Sequence, residues 1–122
     1  MQRRNLFPVL VITVILLLGS SRLWGHALVV ESTPKANDVV SGPTLQIKVR
    51  FNARVDGKRS KLTLVAQDGV SRPINLALQA SPDSLAASLS GLHPGNYQLH
   101  WQVLAGDGHI TQGDIPFRVV SP

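Results

Sequence analysis

From Tyr97 to Val119 apolar and polar side chains alternate in two runs, the period of half-buried β-strands. Tyr97, Leu99, Trp101 and Val103 mark the first run, and Ile115, Phe117 and Val119 the second. Between them lies Gly106-Asp107-Gly108-His109, a turn carrying a carboxylate and an imidazole two residues apart. The same alternation recurs upstream, clearest where Leu45, Ile47, Val49 and Phe51 oppose Gln46, Lys48 and Arg50. Leu62 and Leu64 repeat it, as do Ile74, Leu76 and Leu78. Turn chemistry punctuates the intervals, as in Pro34-Lys35-Ala36-Asn37-Asp38, Ser41-Gly42-Pro43, Asp68-Gly69 and Pro94-Gly95-Asn96. No segment holds a helical period over several turns. The pattern predicts an all-β fold, a seven-stranded immunoglobulin-like Greek-key β-sandwich. Its strands fall near 27–33, 44–51, 60–66, 71–78, 84–89, 97–105 and 113–120. Pro116 has no N–H to give a ladder, which predicts an edge or a bulge in the last strand.

Residues 1–25 read as an export signal: Arg3 and Arg4, an apolar run over Leu6–Leu18, then Gly19-Ser20-Ser21. The run is shorter than the roughly 20 residues of a membrane-spanning helix, although Arg22 leaves an uncleaved anchor as an alternative. Residues 26–122 then form one exported domain. Without Arg3, Arg4 and Arg22 the twelve Lys and Arg fall to nine against seven Asp and Glu, a net charge of +2. Lys58, Arg59 and Lys61 are the one basic cluster, read as a solvated loop, and no stretch interleaves dense cations with aromatics. Nucleic-acid binding has no support. There is no cysteine, so the core alone must hold the exported domain and any metal must take nitrogen and oxygen ligands.

Strand parity shows which candidate side chains share an end of the sandwich and could share a metal. If successive strands alternate in direction, the loop between the sixth and seventh shares an end with the start of the first. Asp107 and His109 then meet His26. His93 falls at the opposite end, and His100, out of phase with Leu99 and Trp101, points to solvent. Tyr97, at the start of the sixth strand after Leu92-His93-Pro94-Gly95, reads as a tyrosine corner. Asp114 and Glu31 read as solvated charges.

An ordered set of short motifs resembles the CopC family of periplasmic copper-binding proteins. His26-Ala27-Leu28 resembles that family's mature start, with Ser32-Thr33-Pro34 after it and Phe51 closing the second strand. Leu92-x-x-Gly95-x-Tyr97, Tyr97-x-x-x-Trp101, Asp107-Gly108-His109 and Gly113-x-x-x-Phe117-x-Val119 complete it. The resemblance covers residues 26–122. It implies a Cu(II) site built from a mature N-terminal His26 with Asp107 and His109, and a function in copper sequestration, resistance or delivery. A membrane copper transporter is the implied partner, the protein acting as a monomer and not as an enzyme.

Chemistry agrees with that set. A free His26 amine and its Nδ1 can chelate one ion in a small ring, and a second imidazole with a carboxylate makes three nitrogens and one oxygen. Cu(II) favours tetragonal sites of that composition. The sequence departs from the family at three points. Its sole methionine is Met1, so no Met-rich Cu(I) loop exists. Ala53 stands where relatives commonly carry Glu. Cleavage after Gly25 leaves Leu23 three positions before the cut, whereas cleavage after Ala27 is a better small-residue match that discards His26. Two other classes remain open, a metal-free adhesion or assembly module and an oxidative enzyme with a histidine brace.

Overall fold

The computed structural model describes residues 26–122, which form two β-sheets without a helix; residues 1–25, read above as an export signal, lie outside the described residues. Eight strands are present: β1 (Val29–Thr33), β2 (Asp38–Ser41), β3 (Leu45–Phe51), β4 (Lys61–Ala66), β5 (Ser71–Ile74), β6 (Ser84–Leu89), β7 (Gly95–Leu104) and β8 (Ile110–Val120). One sheet has the order β1-β3-β6 and the other β2-β8-β7-β4-β5. The sandwich is as expected, but it has eight strands instead of seven.

The added strand is β2. It arises because the first downward course of the chain changes sheets at its midpoint. β1 pairs antiparallel with β3, the Pro34–Asn37 turn carries the chain across, and β2 then runs parallel to β8. Asn37 takes a left-handed φ of 68°, a conformation that Asn tolerates. β2 continues the direction of β1, so the extra strand leaves the parity of the later loops unchanged. β5 is shorter than expected. After Ile74 the chain leaves the β4 edge, and Ala77 donates its N–H to Ala86 of the other sheet. Leu78 is 96% exposed, so the predicted alternation ends at Leu76.

Pro116 is not on an edge strand, since β8 lies between β2 and β7. Its carbonyl accepts from Asn37 N at 2.6 Å, so it faces the β2 side. A residue's N and C=O face the same way along a strand. The missing donor would therefore point toward Lys35, whose carbonyl already accepts from Asp38 N at 3.1 Å. The ladder begins one residue later, at Asp38 opposite Phe117.

The alternating residues meet between the sheets. Val49, Leu99 and Val103 are fully enclosed, and Phe51 meets Trp101 edge-on at 5.3 Å between ring centres. Trp101 lies over Gly113, its cross-strand partner. A methyl at Gly113 would fall 2.6 Å from Trp101 Cζ2. Gly113→Ala should therefore cost about 1–3 kcal/mol by forcing the indole or the strand aside. Urea unfolding checks this through a lower midpoint at unchanged slope.

At the end of the sandwich away from residue 26, Tyr97 stacks on Phe117 and its hydroxyl donates to the His93 carbonyl at 2.7 Å. This is the tyrosine corner expected there. That end holds the fold, and the other gathers the titratable side chains considered next.

Candidate metal centre

The β7–β8 turn is built by its own residues. Gly108 N donates to Ala105 O at 2.9 Å and Ala105 N to His109 O at 2.8 Å. Gly108 has φ +89°, where a side chain would be strained. Asp107 Oδ1 accepts the His109 amide at 3.1 Å, an Asx turn that ties the carboxylate to the backbone. The tip is also fastened sideways, since Gly106 N donates to Arg54 O at 3.1 Å and Ala105 bridges to Val55.

Within this turn Asp107 Oδ2 lies 3.1 Å from His109 Nδ1, both groups being open to solvent. The His109 amide first, and its ring second, hold the Asp107 carboxyl below its usual range.

His26 precedes β1 and faces this pair. Its ring centre is 6.4 Å from that of His109, with the planes tilted by 43°. The residues after it are held from both sheets. Ala27 is 1% exposed and belongs to the core. Leu28 N donates to Asn52 Oδ1 at 2.8 Å, and Asn52 N returns a bond to Leu28 O at 3.0 Å. Thr111 Oγ1 donates to Ala27 O at 3.3 Å.

The three predicted ligands thus share one end of the sandwich but do not close on a point. Among the described residues no group of three or more His, Asp or Glu side chains stands close enough to hold an ion as placed. A nitrogen-bound imidazole has its centre about 3 Å from the ion, so two on one ion lie at most about 6 Å apart. The 6.4 Å between the two ring centres exceeds that limit, so the rings as placed do not meet on one ion. The donor types, imidazole nitrogen and carboxylate oxygen, fit a divalent ion of the Cu(II), Ni(II) or Zn(II) kind.

The remaining candidates sort by position. His93 lies at the far end beneath Tyr97. His100 sits on the outer face of the five-stranded sheet, its Nδ1 2.8 Å from Asp114 Oδ1. Asp114 is therefore paired across the ladder with His100 and is not merely solvated. Glu31 likewise meets Arg50 at 3.4 Å. Lys58 and Arg59 are exposed in the turn before β4, as a solvated loop requires, whereas Lys61, also exposed, is the first residue of β4. Ala53, in the same loop as Asn52, offers no carboxylate to the site. Asn52 and Thr111 had no place in the sequence reading. Their partners lie 24 and 84 positions away, beyond any local pattern.

A family model described as the CopC domain matches residues 29–120. Copper resistance protein C of Xanthomonas campestris pv. juglandis is 32% identical over 117 residues, 89% of this chain and 91% of that protein. Among solved structures, CopC from Methylosinus trichosporium OB3b superimposes with a TM-score of 0.70 at 28% identity, covering 79% of this chain and 95% of that one. PcoC, a methionine-rich copper resistance protein from Escherichia coli, gives a TM-score of 0.62 at 25% identity, covering 79% and 100%.

Proposed function

The chain belongs to the CopC family, and from that premise we propose that it is an exported protein that binds one Cu(II) as cargo in the periplasm. His26, Asp107 and His109 are its ligands, the first through both its amine and its ring. The observation that carries this reading is the placement of two histidine rings 6.4 Å apart at the end where Asp107 sits. Copper is sequestered there, conferring resistance, or handed to an inner-membrane transporter, and the protein works as a monomer.

The mature chain begins at His26. Support comes from Ala27, which is buried in the core and accepts from Thr111. Cleavage after Ala27 would remove a core residue along with a ligand. The reading is one of binding without catalysis, because four donors from three residues fill the tetragonal plane that a reacting molecule would need. With no cysteine and no methionine after Met1, the site has no sulfur to attract Cu(I).

Titration calorimetry with Cu(II) on the protein starting at His26 tests this. One ion should bind per chain. His109→Ala should weaken binding at least 10–100-fold, whereas His93→Ala and His100→Ala should stay within about threefold of the parent. Equal damage from His93→Ala would refute the ligand set, and Cu(I) held as tightly as Cu(II) in a competition titration would refute the choice of oxidation state.

A further inference from the structure

We infer that Asn52 and Thr111 are positioning residues for the His26 arm, fixing the main chain from which its amine and ring extend before an ion arrives. The inference rests on the Cu(II) reading above and adds two residues to it that touch no ion.

The geometry is that of a clamp. Asn52 takes both backbone groups of Leu28, its side-chain Oδ1 accepting from the N–H at 2.8 Å and its own backbone N–H donating to the C=O at 3.0 Å. Thr111 takes the carbonyl of Ala27 at 3.3 Å. The Ala27 side chain is sealed in the core, so the arm cannot swing about that residue. Only the rotations next to His26 itself remain free. Asn52 follows β3 of one sheet and Thr111 is the second residue of β8 of the other, so the arm is strung between both.

Thr111 also stands two residues after His109. The spacing between the two histidines is therefore set through a short path, His109 to Thr111 to Ala27 to His26. An ion that needs all its ligands at once gains when that spacing is fixed beforehand, because ordering a loose arm would oppose binding. The clamp does little for the core. Asn52 and Leu28 are both exposed, and the enclosed side chains of β3 and β8 pack without them.

The test uses the protein beginning at His26, with Asn52→Ala and Thr111→Val compared against His26→Ala. Each clamp variant should weaken Cu(II) about tenfold or more, the range seen when a ligand's support is removed. Electron paramagnetic resonance should show a second copper species. Asn52→Asp and Thr111→Ser keep the acceptor and the hydroxyl, and should restore a single species. Tyr97→Phe serves as the stability control. It deletes a hydrogen bond at the far end and should lower the melting temperature without changing affinity or spectrum.

If His26→Ala loses copper while Asn52→Ala and Thr111→Val bind like the parent with its spectrum, the clamp is refuted and the site stands. If His26→Ala itself changes nothing, both fall, and the ligand assignment is the part that failed.

Discussion

One glycine added ahead of His26 should lower Cu(II) affinity by more than about 100-fold while leaving the metal-free protein as stable as before. The addition spares the imidazole, Asp107, His109 and every core residue. It converts the His26 nitrogen into an amide, a poor donor, and moves the free amine out of the small chelate ring. The visible absorption of the copper complex should shift as one nitrogen is lost or rearranged. Affinity of the parent should also fall with acidity, because an amine with an ordinary pKa near 8 must shed its proton to bind. Asp107 adds little to that slope near neutrality, since the His109 amide and ring keep its carboxyl ionised to below the usual range. Mass spectrometry of the exported protein, followed by titration of the two forms, decides the matter. Equal affinities would reduce His26 to a side-chain ligand or to none.

Phe51→Ala should remove about 3–5 kcal/mol of stability, a large share of the 5–15 kcal/mol typical of a domain. Phe51 is 1% exposed, sits edge-on to Trp101 and closes β3 one residue before Asn52. No disulfide is available to offset the cavity. Urea unfolding should show the lower midpoint, and Phe51→Leu should recover part of the loss by refilling the space. A loss below about 1 kcal/mol would mean that the two sheets settle into the gap, contrary to the packing described.

Legibility followed the range of the interaction. Leu45, Ile47, Val49 and Phe51 could be read because their alternation lies within one strand, and all four are buried. The same holds for Leu99, Trp101 and Val103 in β7. β2 could not be read. Its Val39-Val40 pair is short and flanked by turn residues, and its partner Val119 is parallel and some 80 positions away. Leu78 misled for the opposite reason, extending an apolar spacing past the point where the chain changes sheets. At the site, the common end of His26, Asp107 and His109 followed from counting strand directions. The counting worked because β1 and β2 are one course with a single heading. The supports were hidden, since no local spacing announces that Asn52 bonds to Leu28 or Thr111 to Ala27.

The Thr111–Ala27 bond joins positions 84 apart, and β8 is the last strand of the sandwich. Bringing such distant segments together carries a loop-closure cost that is recovered only after the intervening strands have paired. The arm thus takes its place late, when β8 has entered between β2 and β7. Before that pairing, His26 and His109 stand far apart along the chain, with nothing to align them. On the Cu(II) reading proposed above, capture of an ion in the finished geometry therefore waits until the whole sandwich has paired.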